Sequence, residues 1–221
     1  MNYKPLLPAI LFLSCTYVGQ SQVIKPPLSK DRFITVNREL SITEMNGKTV
    51  IQLDARPGDG VAWIKSSFFN RGVIELDIKG KNLPQQSFVG FAFHRQNDST
   101  YDVVYFRPFN FQSKDSLSKK HAVQYVFLPK NDWSFLRSRF PGRYENSLSE
   151  LVDPDNWFHV KLVVEDQIKV YVNNSAIPSL VIQPLNDFSS GNIGFWVGNN
   201  SDGAFANLSV ILRPSTSPPE K

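Results

Sequence analysis

The sequence predicts an all-β fold, a two-sheet antiparallel sandwich, on three observations. Short apolar or alternating runs rich in Val, Ile, Phe and Tyr recur along the chain. Clusters of Gly, Pro, Asn, Asp and Ser separate them. No segment sustains the 3.6-residue apolar period of an amphipathic helix. The length of 221 residues suits one domain with a substantial core. A 41% hydrophobic and 13% aromatic composition argues against disorder.

The elements follow in order. Residues 1–21 read as a secretory signal peptide: one Lys, a short apolar run, then small residues at Gly19 and Ser21, with cleavage after Ser21. The alternative is a lipobox, "FLSC", that would anchor the protein through Cys15. Either way the expected destination is outside the cytoplasm, periplasmic or extracellular. The apolar run is too short to span a bilayer well, and no second stretch is long enough. Cys15 is the one cysteine, so the mature chain has no disulfide, no Cys nucleophile and no Cys-ligated metal.

Residues 22–31, with Pro26 and Pro27, read as an extended leader, and 32–212 as the sandwich. Strands are expected at 32–36, then at 40–44 and 48–53 on either side of "MNGK", and at 60–64 after "RPGDG". The next are 71–79, then 87–95 and 101–107 flanking "QNDST", and 121–127. The last are 157–164 and 167–172 around a tight turn, 179–183 after "VNNSA", 191–197 after "SSGN" and 203–212 after "NNSDG". Within 135–152 one short helix is expected after Gly142. Residues 213–221, "RPSTSPPEK", read as a disordered polar tail.

The formal charge of +4 is mild and the cations are scattered, which argues against a nucleic-acid partner. Neither a G-x-S-x-G nor an H-E-x-x-H motif is present.

Four segments carry a resemblance: "FFNRGVIELDIKG", "SFVGFAFHRQNDSTYDVVYFRP", "DNWFHVKLVVEDQIKVYVNN" and "SGNIGFWVGNNSDGAFANLSVI". Their order resembles the concanavalin A-like lectin/glucanase jelly roll. The last two resemble the C-terminal half of laminin G-like domains and of the bacterial 3-keto-disaccharide hydrolase-like domain. The resemblance spans about 31–212 and specifies fold better than function. It implies a sandwich whose concave face meets carbohydrate. The glucanases of this superfamily carry Glu-x-Asp-x-x-Glu on one strand. Here "ELDIKG" supplies Glu75 and Asp77 but puts Gly80 in the third position, so these two acids read as a solvent-facing row. The hydrolase-like Y-E-x-Q pattern is broken by Val104 in "YDVVY" and by Ala122 in "HAVQY".

Candidate site residues follow from strand alternation. Tyr101, Val103, Tyr105 and Arg107 share one face of their strand, and Gly90, Ala92 and His94 one face of its neighbour. His121 and Tyr125 share a face, with Gln124 on the other. Tyr105, Arg107, Gln124 and Tyr125 are therefore candidate ligand contacts, since aromatic faces stack on pyranose rings and Arg, His and Gln bond hydroxyls. The long connection 109–155 adds Trp133 and Arg137 as candidate groove walls. His94, Asp102 and His121 are the candidate catalytic groups. Trp157 and Trp196 lie in strong strand patterns and are expected in the core. No cofactor is called for. A structural calcium would rest on Asp98 or Asp202, both in turn sequences.

The functional expectation is an exported protein that binds or processes an oligosaccharide or other glycan through a Tyr/Arg/His face. One alternative is a glycoside hydrolase-like enzyme using His94, Asp102, His121 and Tyr105. The other is a laminin G-like protein-interaction module. An exposed aromatic patch on a loop favours that module, and a recessed polar-aromatic cluster favours sugars.

Overall fold

The computed structural model describes residues 22–213 except 46 and 189. The signal peptide, Cys15 and residues 214–221 of the expected tail lie outside the described residues.

In chain order the strands begin with β1 (Gln22–Ile24), β2 (Phe33–Val36), β3 (Leu40–Met45), β4 (Lys48–Leu53) and β5 (Gly60–Phe69). Next come β6 (Gly72–Lys79), β7 (Val89–Arg95), β8 (Tyr101–Phe106), β9 (Val123–Leu128) and β10 (Glu145–Asn146). The last are β11 (Phe158–Val164), β12 (Ile168–Val172), β13 (Leu180–Ile182), β14 (Gly191–Val197) and β15 (Gly203–Leu212). Two short helices, α1 (Ser116–Lys119) and α2 (Trp133–Arg139), flank β9 in sequence.

Each strand expected from the sequence is present. The largest change of length is in β5, which runs on to Phe69. β1 and β10 were not expected. The leader is not merely extended: Val23 pairs with Ile211. β4 pairs with β15 only as far as Phe205, and β1 covers the same strand from Val210 to Leu212. A bare strand edge is a template for unwanted pairing, so this short strand protects it. The helix also differs from expectation, lying before Gly142 rather than after it. Asp132 caps its start by accepting from the Phe135 N–H at 2.7 Å, and Pro141 follows its last turn.

Two antiparallel sheets stack. The larger has the order β13-β12-β11-β6-β15-β4-β3, with β1 on β15. The other has the order β10-β9-β8-β7-β14-β5-β2. Between them Phe106 meets Phe158 with ring centroids 5.1 Å apart, and Phe195 meets Phe205 at 4.9 Å. Burying one such ring contributes roughly 1.5–3 kcal/mol. Val104, Phe106 and Phe91 thus face the core, and Tyr101, Val103, Tyr105 and Gly90 face outward from the seven-stranded sheet. On the outer face of the other sheet, Glu75 lies 3.8 Å from Lys161, and Asp77 accepts a bond from Asn207 and lies 2.9 Å from His159. That is the polar row the alternation predicts.

Candidate functional site

The outer face of the seven-stranded sheet floors a groove of about 1230 Å³. Its centre is one cross-strand row. Trp196 on β14 pairs with Gly90 on β7, Gly90 with Tyr105 on β8, Tyr105 with Gln124 on β9, and Gln124 with Glu145 on β10. A Cβ on Gly90 would lie 2.3 Å from the Val104 carbonyl oxygen and 2.6 Å from Tyr105 Cα. The bare glycine lets Trp196 and Tyr105 touch above it, with ring centroids 5.0 Å apart.

Arg107 begins a second row beside Phe88. Its Nη2 donates to Tyr105 Oη and Gln124 Oε1, both at 2.6 Å, and its Nη1 to the His121 carbonyl at 2.9 Å. Tyr105 Oη donates to Gln124 Oε1 at 2.9 Å. Both neighbours of that oxygen are donors, which fixes the amide's orientation and leaves Gln124 Nε2 buried with no acceptor among the described residues. The guanidinium lies 4.8 Å from the Tyr105 ring and 5.7 Å from the Phe88 ring. Arg107 is 5% exposed, and burial lowers its pKa. Burial also pushes the Tyr105 hydroxyl up to about 12, with Arg107 opposing.

One end of the groove is walled by α2. Trp133 is half exposed, and Arg137, one turn on, lies 5.2 Å from its ring. Arg137 grips Glu145 with two bonds, Nε at 3.0 Å and Nη2 at 2.7 Å. His121 Nδ1 lies 2.7 Å from Glu145 Oε2. Partial burial lowers the His121 pKa and Glu145 opposes the shift. The other end is lined by Asp59, Tyr101, Asn199 and Asn200. Burial raises the Asp59 pKa, with Arg38 opposing.

The structure separates residues that the alternation had grouped. Tyr105, Arg107, His121, Trp133 and Arg137 line the groove. Gln124, expected on the far side of its strand from His121, shares the groove face instead. Tyr125, expected beside His121, faces the core. The register of β8 on β9 sets this, since Tyr105 opposes Gln124 and Val104 opposes Tyr125. His94, expected on the outer face with Gly90 and Ala92, also points inward. Its φ is 52°, and the β7–β14 register slips there, so Phe93 and His94 together oppose Ile193. This bulge turns His94 to the core side.

There His94 joins Asp102 and Tyr125, away from the groove. His94 Nδ1 lies 3.0 Å from Asp102 Oδ2, and its Nε2 donates to the Asn70 carbonyl at 2.7 Å. Asp102 Oδ1 accepts from Tyr125 Oη at 2.6 Å and from Asn186 Nδ2 at 2.7 Å. Of the three candidate catalytic groups, only His121 lines the groove. Trp196 is buried as expected, but in the groove floor rather than between the sheets. Trp157, expected in the core, is 36% exposed and lies over a hollow on the opposite sheet.

Asp98 bonds Arg95 at 2.6 Å, and Asp202 pairs with Lys81. No group of three or more His, Cys, Asp or Glu positioned to hold a metal occurs among the described residues. No helix among the described residues is long and apolar enough to cross a membrane.

Glu145 and Asp59 were not singled out in the sequence. The signal for Glu145 was the lone acid of "SFLRSRFPGRYEN", a segment with three arginines; Asp59 reads as ordinary turn chemistry in "RPGDG".

No protein-family model matches the chain, and no curated protein sequence does. Solved structures do. The carbohydrate-binding module CBM66 from Bacillus subtilis superposes with a TM-score of 0.57 at 17% identity, over 81% of this chain and 95% of that one. The fold is the concanavalin A-like jelly roll. The β-glucanase of Bacillus licheniformis agrees with this at 0.52 and 13% identity, over 89% and 100% of the two chains. So does the VIP36 exoplasmic/lumenal domain, solved with Ca2+ and Man3GlcNAc, at 0.53 and 10%, over 86% and 87%. At these identities the shared property is the jelly roll itself.

Proposed function

We propose that this chain binds carbohydrate in the groove over β14, β7, β8 and β9, as part of an exported protein. The observation that carries the proposal is the floor. Nearly buried Tyr101, Trp196 and Tyr105 pave it, half-exposed Trp133 stands at the wall beside them, and Arg107 has N–H groups left for a ligand. Aromatic faces suit the apolar side of a sugar ring, and a few fixed donors then select among its hydroxyls. The solved jelly rolls above include a carbohydrate-binding module and a Man3GlcNAc-bound domain, which supports a glycan as the ligand class. The export reading rests on the N-terminal segment of the sequence.

The test is calorimetric titration of residues 22–221 against a panel of neutral and acidic oligosaccharides, with Trp133→Ala in parallel and product analysis on every mixture. Trp133 is half exposed, so the variant keeps its fold. Loss of stacking should weaken binding about tenfold, in line with 1–3 kcal/mol for a stacked ring. Saccharide binding unaffected by Trp133→Ala moves the site off this groove, and no binding to any saccharide ends the reading.

A further inference from the structure

Among the described residues, the basic side chains lining the groove each have a carboxylate partner with one exception. Arg56 is held by Asp54 at 2.6 Å and by Glu39 at 3.2 Å. Asp98 is bonded to Arg95, Asp132 caps α2, and Arg137 is gripped by Glu145. Asp59 feels Arg38, which is buried among the carbonyls of Asn37, Gly58 and Gly198. Arg107 has no carboxylate within ion-pair distance among the described residues. Its partners are a carbonyl, a phenol and an amide, all neutral. Glu145 and Arg137 act on it with opposite signs.

A guanidinium 95% covered and lacking a counter-charge is costly unless something supplies one. Arg107 has five N–H donors, of which three are used, so two remain. It lines the groove, so a ligand group can reach its edge. Arg137 stands on the same side, on the Trp133 wall. Nearby anions answer this cation only in part, because Glu145 is already shared between Arg137 and His121.

We propose that the groove selects a glycan carrying an anionic substituent, a carboxylate or a sulfate, seated against Arg107 at the α2 end. This rests on the carbohydrate reading above and narrows it. The neutral shell holds the guanidinium in place without quenching its charge. A carboxylate or sulfate oxygen then supplies the missing charge to a guanidinium that is itself mostly shielded from water, where a charge-assisted bond is strong.

The experiment compares a uronic-acid-terminated oligosaccharide, the same oligosaccharide with its carboxyl reduced to an alcohol, and a sulfated counterpart. Each is titrated at low and high salt against the wild type, Arg107→Gln and Gln124→Glu. The expected result is a preference of about tenfold or more for at least one anionic form over the alcohol. The uronate and sulfate arms tell the two sources apart. Gln124→Glu places a carboxylate where the amide now accepts from Arg107, so it quenches the charge without removing the arginine. It should abolish the preference in a folded protein, even where Arg107→Gln fails to fold. Equal binding of the acid and alcohol forms, or a preference that survives Gln124→Glu, overturns the inference and leaves the carbohydrate reading standing. Absence of binding to all three forms and to the wider panel overturns both.

Discussion

Tyr105 and Trp196 touch with ring centroids 5.0 Å apart although strand β7 runs between their strands. The contact exists because Gly90, the residue between them, has no side chain. It turns two separate aromatic residues into one continuous platform.

Replacing that glycine tests the platform. In Gly90→Ala the new methyl meets the backbone of β8, which cannot swing aside as a side chain would. The variant should lose about 1–3 kcal/mol of stability, the usual cost of overpacking. Chemical denaturation reads this directly. Carbohydrate affinity should fall with it, because the two rings are pushed apart.

Glu145 holds the groove wall. Glu145→Gln removes the bidentate grip on Arg137 and the acceptor beside His121. Arg137 still reaches water, so the stability cost should be modest, about 1–3 kcal/mol. The larger effect should be on binding, as Arg137 and Trp133 lose their fixed positions. Titration of this variant beside Trp133→Ala checks it: similar losses of affinity place both on one wall.

Asp102 tests the separation of the two polar clusters. Asp102→Asn keeps an acceptor for Tyr125 and Asn186 at the Oδ1 position but removes the carboxylate charge and puts an amide NH2 where Oδ2 faces His94 Nδ1 in the core. The expected cost is about 3 kcal/mol, typical of breaking a buried charged network. Ligand affinity of the folded fraction should not change, because these groups lie on the far side of the sheet from the groove. A selective loss of affinity at unchanged stability would place Asp102 in the site after all.

Two histidines should shape the pH dependence with opposite signs. Bonding to Asp77 raises the folded-state pKa of His159. Its stabilising contribution is full below the unfolded value near 6.5 and is lost as pH rises through the raised folded value. His121 is lowered by burial. The unfolded state then binds the extra proton first, so stability falls as pH drops below about 6.5 toward the lowered folded value. Melting temperatures across this range should show the alkaline-side loss shrink in His159→Gln and the acid-side loss shrink in His121→Gln.

Much of the architecture was legible because it is local. Alternating runs broken by "MNGK", "QNDST" and "NNSDG" mark strands and turns whatever the rest of the chain does. The Tyr101–Tyr105–Arg107 row was legible for the same reason: two-residue periodicity within one strand needs no partner. β10 was not legible, since two residues carry no periodicity. The leader strand was not either, because it forms only against an edge of β15 that β4 leaves open.

The sequence by itself determined every strand but β1 and β10, the sandwich and which residues of β8 share a face, because each follows from backbone sterics and side-chain alternation. Only the tertiary structure decided which strands' faces combine. The register of β8 on β9 brought Gln124, not Tyr125, to Arg107. One bulge sent His94 into the core, and a two-residue strand delivered Glu145 to the groove wall. Register and bulges are set by pairing across long separations in the chain, and a shift of one residue moves a side chain to the opposite face.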